Sequence, residues 1–154
     1  MSATSDYRDY WINPRIKIAA LWASMLFVFV CVDLFSFYRG DVRADIEAGK
    51  IAVFSIGQGY LLGVTIYVIL PSLMLFLSLV LPVRVMRMSN IVLAVLFAVS
   101  VVGSAVGEWN YFILGSVTEA ALLGGVVYYA WTWPKVTHAV AAPEDESRPD
   151  VHVT

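Results

Sequence analysis

The stretch Tyr111–Trp133, YFILGSVTEAALLGGVVYYAWTW, is apolar over enough residues to cross a bilayer as one helix. A helix needs about 20 residues to span the roughly 30 Å hydrocarbon core. Its only charged residue, Glu119, lies eight residues after Tyr111 and therefore about 12 Å along the helix, close to the bilayer midplane. Because an acidic side chain is costly there, we expect Glu119 to face other helices rather than lipid.

Three more apolar runs predict an all-α integral membrane protein, a four-transmembrane-helix bundle. The hydrophobic fraction of the 154 residues is 60% and the charged fraction 14%, against roughly 45–50% and 25% in soluble domains. Each run should be helical, since unpaired backbone groups are intolerable in hydrocarbon. The expected spans are about 16–37, 60–81, 89–107 and 111–133.

The chain divides into three segments by composition. We expect an N-terminal segment over 1–15, the transmembrane domain over 16–134 and a disordered tail over 135–154, where acids and proline follow the last span. The first apolar run is longer than the 7–15 residues of a signal-peptide core, so we expect it to be retained as a span.

The basic residues predict the orientation. One side of the predicted topology carries seven of them and the other side three, which favours both termini in the cytoplasm. The seven are Arg8, Arg15, Lys17, Arg84, Arg87, Lys135 and Arg148, and the three are Arg39, Arg43 and Lys50.

Cysteine and histidine usage excludes several classes of site. Cys31 is the only cysteine, so a disulfide or a cysteine metal site within one chain is excluded. Both histidines, His138 and His152, follow the last span, which argues against haem or another histidine-bound metal within the membrane. The basic residues form no cluster in the sequence that would indicate a nucleic-acid-binding surface. We therefore expect no metal, no cofactor and no nucleic-acid partner.

The polar residues of the spans and their outer turns are the candidate site. They lie in the half of the bundle opposite the termini, and we expect no matching cluster in the other half. The sequence thus predicts an outward-facing polar pocket for a small ligand, lipid or cation. The candidate ligand-binding residues are Asp33, Gln58, Tyr60, Glu108, Asn110 and Glu119.

Several roles stay open for these residues. Glu119 is either structural, hydrogen-bonded to a neighbouring helix or paired with an arginine, or it contributes to a ligand or ion site. A catalytic role is less favoured, because no nucleophile–base pair accompanies the acids. The alternatives to ligand binding are an accessory or structural subunit, a membrane-embedded enzyme and a proton-coupled transporter. Membrane lipids are expected partners, and a homo-oligomer or a larger membrane partner stays open.

Two further predictions concern the small residues of the spans and the long connection between the first two spans. Pairs four residues apart, as in Gly59-xxx-Gly63, Gly103-xxx-Gly107 and Ala120-xxx-Gly124, are typical of close helix contacts in membranes. Between the first two spans we expect a short helix with Asp41 as its N-cap and Gly49 as its stop. The apolar IAVFSI that follows is expected to lie on the membrane surface or to dip between helices.

Several segments together resemble an uncharacterised family of bacterial four-helix membrane proteins over about Arg15–Pro134. They are SFYRGDVRADIEAGKI, GQGYLLG, PSLMLFLSLVLP, GEWNYFILGSVTEAALL and YYAWTWP. The resemblance implies a small multi-pass protein of the inner membrane whose plan is similar to DoxX-like proteins. It implies no catalytic residue.

Overall fold

The computed structural model describes residues 12–51 and 53–133, which form five helices and one short hairpin. The four long helices are each long and apolar enough to cross a membrane, so the predicted four-span helical architecture is confirmed. The predicted tail lies outside the described residues. The elements are α1 (Pro14–Ser36), α2 (Gly40–Glu47), β1 (Lys50–Ile51), β2 (Phe54–Ser55), α3 (Gln58–Val80), α4 (Val83–Ser104) and α5 (Asn110–Trp131).

The long helices form a ring in which α1 packs against α3 and α5, and α5 packs against α4. The backbones of α3 and α4 approach each other least, although only residues 81–82 connect them. We call the end of the bundle that carries α2 and the hairpin the α2 end. The opposite end, where α1 begins and α5 ends, is the termini end.

The α3–α4 connection is tighter than predicted. The predicted spans 60–81 and 89–107 leave residues 82–88 as the connection, but α4 begins at Val83 directly after Pro82. A proline at a helix start loses no hydrogen bond, since the first N–H groups of a helix have no partner within it. Arg84 and Arg87 therefore lie in the first two turns of a helix rather than in a loop.

Two of the basic residues at the termini end cap neighbouring helices. Nη1 of Arg15 donates to carbonyls at the end of α3, at 3.0 Å to Leu79 in its last turn and 2.8 Å to Leu81, the C-cap. Nε of Arg87 donates to the carbonyl of Ala130 at 2.7 Å, near the end of α5. The last carbonyls of a helix have no partner within it, and a cation there also complements the helix dipole.

The termini half of the bundle contains a buried polar network, so the prediction that this half has no polar cluster was wrong. Oδ1 of Asn90 accepts hydrogen bonds from Nε1 of Trp22 at 2.6 Å and from Oγ of Ser78 at 3.1 Å. Its Nδ2 donates to the carbonyl of Met86 at 2.8 Å. All three side chains are fully buried. The network links α1, α3 and α4.

Apolar packing surrounds this network. Trp22 meets Phe97 edge to face with ring centroids 6.1 Å apart, and Phe97 lies 4.5 Å from the ring of Tyr67. Large apolar side chains such as Phe27 and Leu114 point outward, with 73% and 70% of their surface exposed. This inside-out pattern is expected when the solvent around the helices is lipid, because apolar surface there carries no cost.

Helix approach depends on different glycines from those predicted. A Cβ on Gly115 would collide with the side chain of Val32, and one on Gly125 would lie 3.1 Å from Leu21, so α1 and α5 meet closely at both. The predicted motifs make no such contact within the described residues. A Cβ would meet nothing within 4 Å at Gly59, Gly63, Gly103, Gly107 or Gly124.

The short helix at the α2 end follows the sequence prediction only in part. α2 begins two residues earlier than expected, so Arg39 is the N-cap and Asp41 lies in the first turn. An acid there still interacts favourably with the helix dipole. Gly49 has φ of +74° just after the helix, so its predicted role as the stop is confirmed.

The apolar segment after α2 forms a short hairpin, and its predicted place at the membrane surface or between helices stays a prediction. Ile51 pairs with Phe54 across the two antiparallel strands. The ring of Phe54 stacks on Tyr60 with centroids 6.0 Å apart. The hairpin is thereby held against the first turn of α3.

Candidate ligand-binding cavity

A cavity of about 450 Å³ lies at the α2 end of the bundle. Its walls come from α1, α2, β1 and α3, together with the α4–α5 turn and the start of α5, so it depends on the tertiary fold rather than on any one segment. The polar wall consists of Asp33, Ser36, Arg39, Asp41, Asp45, Tyr60 and Glu108. The apolar wall consists of Phe37, Val42, Ile46, Ile51, Leu61, Val64 and Phe112.

Three of the six predicted site residues line this cavity. Asp33 lies in the last turn of α1, Tyr60 in the first turn of α3, and Glu108 just before α5. Their sequence positions differ widely, but each is near the α2 end of its helix. The fold therefore brings them to one space.

Gln58 and Asn110 do not line the cavity. They are the first residues of α3 and α5, respectively, and both are exposed at the α2 end. Counting residues along a helix correctly predicts which end of the bundle these two side chains lie at. It does not predict which way they point, because the side chains of one helical turn point to all sides.

Arg39 organises the polar wall. Its Nη1 donates to Oε2 of Glu108 at 2.5 Å, and its Nη2 donates to Oδ2 of Asp41 at 2.6 Å. The guanidinium lies 4.7 Å from the ring centroid of Trp109, within cation–π distance. Hydrogen bonds to Asp41 and then to Glu108 raise the pKa of Arg39 above its usual range, and the same guanidinium lowers the pKa of Asp41.

Arg39 is a site residue that the sequence does not reveal. In the sequence it is only a basic flank of the first span, and its neighbour Asp41 is the only partner visible locally. Glu108 is 69 residues further along the chain. No periodicity or spacing indicates a pairing over such a distance.

The cavity wall is strongly acidic. It carries four carboxyl groups, Asp33, Asp41, Asp45 and Glu108, against one guanidinium, Arg39, so the net charge is −3 when all are ionised. Low-dielectric walls of one sign concentrate ions of the opposite sign. The arrangement is therefore suited to a positively charged group.

Glu119 lies deeper in the bundle and is not part of the cavity wall. Only 3% of its surface is exposed, on the face of α5 that also carries Gly115 and Ser116. Its predicted orientation toward other helices is confirmed. Within residues 12–51 and 53–133 no hydrogen bond or arginine pair reaches its carboxyl group, so neither predicted structural interaction is formed there.

Asp33 on α1 follows Val32, whose side chain packs against Gly115, one helical turn before Glu119 on α5. On α3, Tyr67 directs its hydroxyl toward α4. That hydroxyl is hydrogen-bonded to Oγ of Ser100 on α4 at 3.2 Å. A buried carboxyl group thus lies behind an acid-lined cavity.

Four long apolar helices around a packed core, with a cavity at one end, define a small multi-pass membrane protein. A family described as a family of unknown function (DUF6326) matches residues 9–140, and the chain belongs to it. This agrees with the predicted resemblance to a family of unknown activity with four apolar helices. No curated protein and no solved structure matches the chain.

Proposed function

We propose that this protein is a non-enzymatic membrane protein that binds a small organic cation in the cavity at the α2 end. The observation that carries the proposal is the composition of the cavity wall. Half of it is apolar, and its polar half has an excess of carboxyl groups. A cationic group with an apolar body matches both halves.

Asp33 is the residue proposed to hold the cationic group. Arg39 already engages Asp41 and Glu108 in direct ion pairs. Asp33 has no hydrogen-bond or ion-pair partner among the described side chains, and it lies within an apolar span. A carboxylate at that depth is stabilised by any countercharge that reaches it.

An organic cation fits better than a metal ion. Ca²⁺ and Mg²⁺ favour several oxygen ligands at short distance. Within residues 12–51 and 53–133, no three or more His, Cys, Asp or Glu side chains are placed to hold a metal ion together. The apolar residues of the wall would also contribute nothing to a bare ion.

The location and orientation belong to the same proposal. The positive-inside pattern of the basic residues supports cytoplasmic termini, which would open the cavity to the extracytoplasmic side. The resemblance to bacterial four-helix proteins, DoxX-like in plan, supports an inner-membrane location. A ligand would then enter from outside the cell.

Calorimetric titration of the purified protein with benzyltrimethylammonium tests the proposal. This probe joins a permanent charge to an aromatic body. We expect saturable binding to the wild type, and at least tenfold weaker binding to Asp33→Asn. Benzenesulfonate, an anion with a similar body, should not bind.

Glu47→Gln is the matched control, because Glu47 is an exposed acid at the end of α2 and does not line the cavity. It should bind the probe as the wild type does. Equal affinity of wild type and Asp33→Asn, or equal binding of the sulfonate, would refute a cation site at Asp33. The accessory-subunit alternative would then be favoured.

A further inference from the structure

We propose that Glu119 and Asp33 form a proton-binding pair beneath the cavity, and that a cation bound beside Asp33 displaces the proton held by this pair. The inference rests on the proposed cation site and adds a coupling to it. It also assigns a role to Glu119, which the cavity wall alone does not use.

The packing of α1 against α5 brings Asp33 and Glu119 into the same region of the bundle. Gly115 on α5 receives the side chain of Val32 so closely that no Cβ would fit between them. Asp33 follows Val32 directly, and Glu119 follows Gly115 by one helical turn. Asp33 opens into the cavity, whereas Glu119 is almost completely enclosed.

Within residues 12–51 and 53–133, the surrounding helices supply no cation to the pair. α3 presents the hydroxyl of Tyr67, and α4 presents Ser100, whose Oγ accepts the hydrogen bond of that hydroxyl. Across the cavity, Arg39 is engaged by two other carboxylates. The remaining titratable groups on that wall are Asp41, Asp45, Tyr60 and Glu108.

An ionised Glu119 without a countercharge is unfavourable in the low-dielectric interior, and the negative charge of Asp33 at the cavity adds repulsion to that desolvation cost. One bound proton removes most of that cost. A cation beside Asp33 removes it as well, so proton and cation are alternative occupants. On exchange the carboxylic O–H bond breaks, its proton passes to water or buffer, and the cation becomes the countercharge.

The coupling predicts the direction in which the affinity for the cation changes with pH. If one proton leaves for each cation bound, the affinity rises about tenfold per pH unit while the pair is protonated. Above that range the pair has already lost its proton, and the affinity becomes independent of pH. A permanently charged probe contributes no titration of its own, so the pH dependence belongs to the protein.

Calorimetry with benzyltrimethylammonium in buffers of different ionisation enthalpy counts the protons released. In the wild type and in Glu47→Gln we expect up to one proton per bound cation. In Glu119→Gln the probe should still bind, but without proton release. Circular dichroism and gel filtration check that each variant is folded.

Infrared spectroscopy of the protein without ligand gives a second, independent readout. The wild type should show the C=O stretching band of a buried protonated carboxyl group at neutral pH, and Glu119→Gln should lack it. Adding the probe to the wild type should diminish the band. This last measurement needs no variant, so it decides the question even if Glu119→Gln does not fold.

The outcomes separate the two proposals. Binding without proton release in the wild type, or equal release in Glu119→Gln, overturns the pair and leaves the cation site standing. Absence of probe binding overturns the cation site and the displacement with it. In that case the infrared band alone decides whether the pair holds a proton.

Discussion

Replacing Asn90 with leucine removes the centre of the buried network while keeping the number and branching of the side-chain heavy atoms. Two hydrogen bonds between helices are lost, from Trp22 and from Ser78. Such bonds average about 0.6 kcal/mol each in membrane proteins, which gives about 1.2 kcal/mol. The indole N–H of Trp22 is also left buried without a partner, which costs about 1–3 kcal/mol more. We expect Asn90→Leu to lower the free energy of unfolding by about 2–4 kcal/mol.

Reversible unfolding in mixed detergent and dodecyl sulfate micelles, followed by circular dichroism, measures this loss. Ser78→Ala is the matched control. It removes one of the two bonds and leaves the indole partnered, so about 0.6 kcal/mol is expected. A larger loss for Ser78→Ala than for Asn90→Leu would contradict the assignment of Asn90 as the centre.

A double-mutant cycle isolates the interaction between Trp22 and Asn90. In a Trp22→Phe background Asn90→Leu loses only the bond from Ser78, so it should cost about 0.6 kcal/mol, which is about 1.6–3.6 kcal/mol less than in the wild type. Equal costs in the two backgrounds would refute the reasoning, since they would mean that the 2.6 Å bond between Trp22 and Asn90 contributes nothing.

Two further predictions concern the helix contact and the ion pairs. Gly115→Ala should destabilise the fold by about 1–3 kcal/mol in the same unfolding assay, because the new methyl group collides with Val32. Gly63→Ala, where a Cβ meets nothing within 4 Å, is its control and should not destabilise it. Arg39→Gln should lower the melting temperature at neutral pH, with the difference shrinking as pH falls. The sign follows from Asp41, whose pKa is depressed in the folded protein: its stabilisation is present above the unfolded value of about 3.9 and is lost below it. A difference that stays constant in thermal scans down to acidic pH would contradict the role of the Arg39 ion pairs.

The sequence predicts only part of the candidate site. Asp33, Tyr60 and Glu108 were predicted and line one cavity, because depth along a helix follows from counting residues. Arg39 was missed, since its partner Glu108 is distant in the chain. Gln58 was included but faces elsewhere, because depth does not determine direction.

The sequence by itself determined that four helices form and that Glu119 is turned inward. Both follow from local physics, since a backbone in lipid must satisfy its own hydrogen bonds and a carboxyl group near the midplane must avoid hydrocarbon. Only the tertiary structure decided which helix faces meet. The Trp22–Asn90 bond joins residues 68 positions apart, and the close approach at Gly115 depends on which side chain of α1 faces it. Helix rotation and neighbour order arise from packing over the whole bundle, so a local pattern does not contain them.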